Sequence, residues 1–243
     1  MIEGVLFDKD GTLFDYHATW HGVFRDLAHD LCEGDEAGAR SLLEAGGYDV
    51  EGGFYRSNSI LSAGDTRELA QVWARQLGRD AGALLPHMER VFSTEPVASA
   101  VPAADLKSLL ETLRSRSLSL GIATHDSLQA TENVLARFSL REYFDFLTGY
   151  DCGHGSKPGG GMALAFCKAV GVAPGRIVVI GDNPHDLGMG RNAGAAAVLG
   201  VLTGSSRRGD LVEAGADDVL ESVADLPAWL DGNSGIVPEA ACG

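Results

Sequence analysis

The four cysteines, Cys32, Cys152, Cys167 and Cys242, include no Cys-x-x-Cys pair, which argues against both a zinc site and a dithiol redox pair. They are expected to be mostly buried free thiols in a reducing compartment. Basic residues are scarce: 19 Lys plus Arg stand against 34 Asp plus Glu, a net charge of −15. That balance argues against a broad basic surface for nucleic acid and against an anionic membrane as partner. No apolar stretch is long enough to cross a bilayer. The chain enters its first strand with Glu3 inside it and shows no basic leader or cleavage pattern, so a cytoplasmic location is expected. There is no internal repeat and no low-complexity tract. No Gly-x-Gly-x-x-Gly follows the first strand, which disfavours a dinucleotide-binding Rossmann protein.

What is present is a chain of 243 residues, 45% hydrophobic, long enough for one large domain or for a core domain with a smaller companion. Such an acidic protein would need a local positive centre, a metal or a few placed cations, to take an anionic substrate. The organising stretch is Val5-Leu6-Phe7 followed by Asp8-Lys9-Asp10-Gly11-Thr12-Leu13. A short apolar run bounded by Asp and Gly reads as a buried strand ending in a tight turn. Asp8 and Asp10 then sit at the carboxyl edge of that strand, where open α/β sheets bind ligands. Gly11 permits the turn and a close approach of backbone amides to an anion.

Residues 15–98 read as a small helical insert. Trp20, Val23, Phe24, Leu27 and Leu31 fall at helical spacing, and residues 39–43 and 69–77 are further candidates. The last has Asp65 or Thr66 as N-cap, Glu68 soon after and Gly78 past its end. Gly46, Gly47, Gly52 and Gly53 mark a loop, and residues 95–104 an exit linker. From Leu106 the rhythm is α/β. Helices are expected over 106–116, 127–138, 162–170, 184–192 and 222–230, and strands over 118–123, 144–148, 177–180, 195–201 and 217–220. Alternation of this kind implies a Rossmann-like, mostly parallel sheet flanked by helices. The expected division is a core of 1–14 plus 99–231, a helical cap of 15–98 and a loose tail of 232–243.

Four signals fall in order at strand ends or on the loops beyond them: Asp8-Lys9-Asp10-Gly11-Thr12, Ala123-Thr124, Lys157-Pro158, and Gly181-Asp182 with Asp186. With these, and with Val201-Leu202-Thr203-Gly204, the chain resembles the haloacid-dehalogenase superfamily of phosphatases over residues 2–230. The likeness is to the phosphoglycolate-phosphatase-like branch, with a helical cap inserted after the first motif. The resemblance implies an Mg²⁺-dependent phosphatase acting on a small phosphorylated metabolite through an aspartyl-phosphate. A carboxylate nucleophile is repelled by a phosphate monoester, and a divalent cation with oxygen ligands screens both. Asp8 would be the nucleophile and Asp10 the general acid, then base. Asp8, the backbone carbonyl of Asp10, and Asp182 would hold the metal, with Asp186 binding it or orienting its waters. Asp186 also suits the first turn of a helix on dipole grounds alone. Thr124 would donate to a phosphoryl oxygen, and Lys157 would stand beside nucleophile and phosphate. Gly11 and Thr12 are candidate phosphate contacts.

Four positions depart from the commonest family pattern. Lys9 fills the middle of the Asp-x-Asp turn, either adding positive charge near the site or pointing away. His125 follows Thr124 where Asn is usual, which puts a phosphate or cap contact there in doubt. Gly160 replaces a second proline, and Asn183 replaces Thr or Ser. In the insert, Tyr55, Arg56, Asn58 and Ser59 form a polar stretch that could reach the leaving group, with Arg56 able to pair with a carboxylate. A plain surface loop is the alternative. Trp20 reads as core more readily than as a ligand contact. A phosphoryl mutase on a sugar phosphate would use the same Asp8 and Asp10 and stays open. So does a non-catalytic phosphate-binding module, and either a monomer or a homodimer. A dehalogenase would need neither Asp10 nor Asp182, and a phosphonate hydrolase would carry a small residue in place of Asp10.

Overall fold

The computed structural model describes residues 1–56 and 59–233. Its centre is a six-stranded sheet in which every neighbouring pair is parallel. In chain order the strands are β1 (Gly4–Phe7), β4 (Ser119–Ala123), β5 (Phe146–Thr148), β6 (Ile177–Gly181), β7 (Ala197–Val201) and β8 (Asp218–Leu220). Between β1 and β4, a two-residue antiparallel hairpin forms from β2 (Tyr48–Asp49) and β3 (Phe54–Tyr55). Across the sheet the order is β5-β4-β1-β6-β7-β8. The chain thus builds outward from β1 on one side, then crosses back and builds outward on the other. Such a switch point leaves a crevice at the carboxyl ends of the strands where the order reverses.

Both faces of the sheet are covered, so its central strands are apolar; β1, Gly-Val-Leu-Phe, and β6, Ile-Val-Val-Ile-Gly, are buried throughout. Successive side chains alternate between the faces. Val5, Phe7, Ile122, Val178 and Ile180 join a core with α6 (Leu106–Ser115), α7 (Leu128–Arg137) and α11 (Leu226–Gly232). Leu6, Ile177 and Val179 join the opposite core with α8 (Gly161–Val170), α9 (Pro184–Ala193) and α10 (Arg208–Glu213).

A third hydrophobic cluster lies among α1 (Tyr16–Leu31), α2 (Glu36–Gly46), α4 (Thr66–Leu77) and α5 (Ala81–Ser99), with the one-turn α3 (Ile60–Ala63) at its edge. The i, i+3, i+4 series from Trp20 to Leu31 is the buried face of α1. Trp73 ties α4 to α2 through a buried indole N–H that donates to the Leu42 carbonyl at 2.8 Å. The acidic composition has a local use here: Asp15, Asp35, Asp65, Asp80 and Asp105 are the N-caps of α1, α2, α4, α5 and α6. Asp65 and Glu68 form a reciprocal capping box, and Gly78 closes α4 in the left-handed conformation.

Four expectations are corrected. Residues 95–99 are not linker: α5 runs through Pro86 and Pro96 to Ser99. Prolines cost a helix one hydrogen bond each, but Leu84, Met88 and Phe92 repeat every four residues and bury one face, and that packing prevails. The Gly-rich loop carries the β2–β3 hairpin, whose strands are too short to show an alternating pattern. The terminal helix is split into a 3₁₀ turn at Val223–Asp225 and α11. Of the thiols, Cys167 is buried, whereas Cys32 and Cys152 are half-buried; Cys242, Asn58 and the expected tail beyond 233 lie outside the described residues. Among the described residues, no helix is long and apolar enough to cross a membrane.

Candidate active site

The four signals converge at the switch point. β1 delivers Asp8, whose N–H donates to the Ile180 carbonyl at 2.9 Å, so the turn after β1 is stitched to the end of β6. Gly11 then takes φ +90°, which only glycine adopts without strain, and any Cβ there would collide with the Asp182 carboxyl group. The loop after β7 closes the other side. Thr203 Oγ1 donates to the Gly11 carbonyl at 2.7 Å, and Ser205 N–H donates to Asp182 Oδ2 at 2.9 Å. A Cβ on Gly204 would also strike Asp182.

Asp8, Asp182 and Asp186 are all buried, and each offers a carboxylate oxygen within 4.8 Å of the other two. Lys157 Nζ donates to Asp8 Oδ1 at 2.5 Å and to Asp186 Oδ1 at 2.6 Å. Three buried acids against one ammonium leave an excess of negative charge. Burial pushes the Asp8 carboxyl up to about 7; Lys157 opposes the rise and Asp186 adds to it. Burial, with Asp186 and Asp8 beside it, pushes Asp182 well above the ordinary carboxylate range. Burial disfavours the Lys157 ammonium, but Asp186 and Asp8 outweigh it, and the group is held charged. An all-oxygen donor set with surplus negative charge fits a hard divalent cation and does not suit a soft one.

A second charged cluster adjoins the first. Lys9 is buried, and its Nζ lies 2.7 Å from Asp10 Oδ2 and 3.0 Å from Asp126 Oδ2. Lys9 therefore points neither away into solvent nor into the trio of acids. Asp126 in turn is tied to the end of β4: its N–H donates to Thr124 Oγ1 at 3.0 Å, leaving the buried Thr124 hydroxyl proton available. The side chain of Asp10 is not part of the Asp8–Asp182–Asp186 cluster.

The sequence that carries these acids matches a known family. The family model described as haloacid dehalogenase-like hydrolase matches residues 2–194. The chain belongs to the haloacid dehalogenase-like hydrolase family. A phosphoglycolate phosphatase from Synechococcus elongatus is 28% identical over 93% of this chain and 95% of its own length. A phosphonoacetaldehyde hydrolase from Bacillus cereus is 26% identical over 86% of this chain and 78% of its own. PpaX of Clostridium perfringens is 32% identical over 92 residues, 38% of this chain and 43% of that protein. Among solved structures, a predicted phosphoglycolate phosphatase from Haemophilus somnus superimposes with a TM-score of 0.72 at 16% identity, covering 94% of this chain and 97% of that one, and supports the fold alone.

In this hydrolase, Asp8, Asp10, Thr124, His125, Lys157, Asp182 and Asp186 all line one cavity of about 140 Å³. His125 does more than face it. Its Nε2 accepts the Lys157 backbone N–H at 3.1 Å and so pins the loop that carries the lysine. That bond assigns the ring proton to Nδ1. Thr12 is fully buried, its hydroxyl has no hydrogen-bond partner among the described residues, and it does not line the cavity. Arg56 is exposed and stands outside the lining of this cavity. Tyr55 is instead buried in the helical cluster. The insert reaches the cavity through other residues, among them Tyr16, Trp20, Phe24, Leu61 and Phe92. Sequence reasoning passed over Asp126 and Ser205 as well. Asp126 stands two residues after Thr124 and was legible in position, but its pairing with Lys9 spans the whole insert.

Proposed function

We propose that this hydrolase is an Mg²⁺-dependent phosphatase of the phosphoglycolate-phosphatase-like branch, acting on a small phosphorylated metabolite through an aspartyl-phosphate. The observation that carries the reading is the trio Asp8, Asp182 and Asp186, oxygens within 4.8 Å of one another, with Lys157 bridging two of them. Asp8, Asp182 and Asp186 would hold the ion, with the backbone carbonyl of Asp10 as a further donor. When bound, Mg²⁺ would screen the two anions from each other and stabilise charge on the transferring phosphoryl group.

The chain's own residues account for the rest. Lys157, held charged by Asp8 and Asp186, keeps the Asp8 carboxylate oriented and presents a fixed cation to the phosphate. An Asp8 oxygen attacks phosphorus, and the bond from phosphorus to the ester oxygen breaks. The Asp10 carboxyl gives its proton to that departing oxygen. The Asp10 carboxylate then takes a proton from water, whose oxygen attacks phosphorus; the bond to Asp8 breaks and inorganic phosphate leaves. General acid–base help of this kind contributes about 10²–10⁴-fold. Thr124, with its hydroxyl proton free, steadies a phosphoryl oxygen. The helical insert acts as a cap that excludes water.

Asp10 also separates this reading from a phosphonate hydrolase, in which a small residue takes that place. The test is hydrolysis of p-nitrophenyl phosphate with and without Mg²⁺. Mg²⁺-dependent phosphate release, lost in Asp8→Asn, supports the proposal. Absence of metal-dependent turnover across a panel of phosphate esters favours a binding module, and an isomerised sugar phosphate without phosphate release favours a mutase.

A further inference from the structure

The cavity has two chemically different walls. The wall from the α/β core carries Asp8, Asp10, Asp182, Asp186 and Lys157. The wall from the helical insert contributes Ser62, Gly64, Asp65 and Thr66 and, as its apolar part, Ile60 with the six side chains Tyr16, Trp20, Phe24, Leu61, Leu69 and Phe92. These six are buried, and four are aromatic. Trp20 stacks on Phe24 with ring centroids 5.2 Å apart, and Phe92 meets Phe24 edge-on at 5.6 Å. The polar end of Tyr16 is already used, since its hydroxyl donates to the Leu61 carbonyl. It therefore presents mainly its ring.

Charge sharpens the contrast. Among the described residues that line the cavity, Lys157 is the only lysine or arginine, and its ammonium is shared between Asp8 and Asp186. His125 and His185 stand on the core side, their rings 6.4 Å apart. The charged group that the insert contributes is Asp65, an acid. A phosphate seated at Asp8 would direct its ester substituent away from the metal acids and toward the aromatic wall. A substituent bearing a carboxylate or a second phosphate would be desolvated there with no cation to meet it, facing Asp65. An uncharged apolar substituent would replace water on rings.

We propose that the leaving group this site selects is an uncharged, largely apolar alcohol, and that anionic leaving groups are excluded. This deepens the phosphatase reading and rests on it. The proposal sets the site apart from any that takes phosphoglycolate, whose leaving alcohol, glycolate, bears a carboxylate.

The experiment compares three monoesters that all leave as primary alcohols: 2-phenylethyl phosphate, 2-hydroxyethyl phosphate and phosphoglycolate, each with saturating Mg²⁺. p-Nitrophenyl phosphate serves as the general phosphatase control. Burying one ring predicts that kcat/KM for 2-phenylethyl phosphate exceeds that for each of the others by about 10–100-fold. Phe92→Ala should lower that preference through KM for the phenyl substrate. Asp65→Asn keeps an effective N-cap for α4 and so should fold; removal of its charge should move the ratio toward phosphoglycolate by about two- to fivefold. If p-nitrophenyl phosphate is hydrolysed with Mg²⁺ but phosphoglycolate or 2-hydroxyethyl phosphate equals or beats the phenyl ester, this inference is overturned and the phosphatase reading stands. An Asp65→Asn ratio equal to wild type removes Asp65 from the exclusion of anions. No Mg²⁺-dependent turnover of any of the four overturns both.

Discussion

Replacing Lys9 with methionine removes the cation between Asp10 and Asp126 while keeping the length of the side chain. The Lys9 side chain is 1% exposed, and those of Asp10 and Asp126 are 14% and 17% exposed. Both carboxylates lie within 3.0 Å of its ammonium. Burial alone disfavours the Lys9 ammonium, yet the two acids more than compensate and raise its affinity for the proton. Breaking a buried ion pair by deleting one partner costs about 3–5 kcal/mol, because the other charge is left uncompensated. Here two acids are left facing each other, but their residual exposure lets water in, so the lower end, about 3 kcal/mol, is expected. For a chain of this size each kcal/mol shifts Tm by about 2–4 °C, giving a fall of about 6–12 °C. Thermal unfolding followed by circular dichroism at pH 7.5 measures it. The double variant Lys9→Met with Asp126→Asn should recover part of the loss, since one of the stranded charges is gone. Activity follows the same logic: Lys9 holds the proposed acid–base residue in place, and the loss in kcat is bounded by the roughly 10²–10⁴-fold that acid–base assistance supplies. A Lys9→Met protein whose Tm lies within 2 °C of wild type, on the order of 1 kcal/mol or less, would refute the argument.

Asp8→Asn should reduce phosphate release to background while the protein still melts cooperatively; appreciable turnover by this variant would mean that another group is the nucleophile. The raised affinities of Asp8 and Asp182 for protons set a pH dependence for the metal-free protein. A carboxyl raised from 3.8 to about 7 contributes stability that is present at low pH and lost as pH rises through about 7. Asp182 shifts in the same direction. Mg²⁺ binding the same oxygens restores what ionisation removes, so the Mg²⁺-induced rise in Tm should be larger at pH 8 than at pH 5.5, and equal rises would contradict it. Gly204→Ala places a methyl group against Asp182. Disturbing a group that orients a metal ligand typically costs about 10–100-fold in metal affinity, so the Mg²⁺ concentration for half-maximal activity should rise by that order. An unchanged Mg²⁺ response would show that the loop after β7 does not govern Asp182.

Much of the architecture could be read before any coordinates because it depends on near neighbours. Val5-Leu6-Phe7 is buried β1, the series from Trp20 to Leu31 is the inner face of α1, and Asp65, Glu68 and Gly78 bound α4 as their spacing requires. These signals reside in strand burial, helical periodicity and capping, each decided within a few residues of chain. The order of the acidic and Lys-Pro motifs likewise located Asp8, Asp182, Asp186 and Lys157. What no local pattern contains is who meets whom across long separations. Lys157 reaches Asp8 over 149 positions, and Thr203 reaches Gly11 over 192. Lys9 finds Asp126 because β1 and β4 are adjacent in the sheet, and strand order is a property of the whole fold. The exposure of Arg56 and the aromatic wall that reaches the cavity in its place have the same origin. A side chain's composition says what it can do, but only the packing of the insert against the strand ends determines which of them face the substrate.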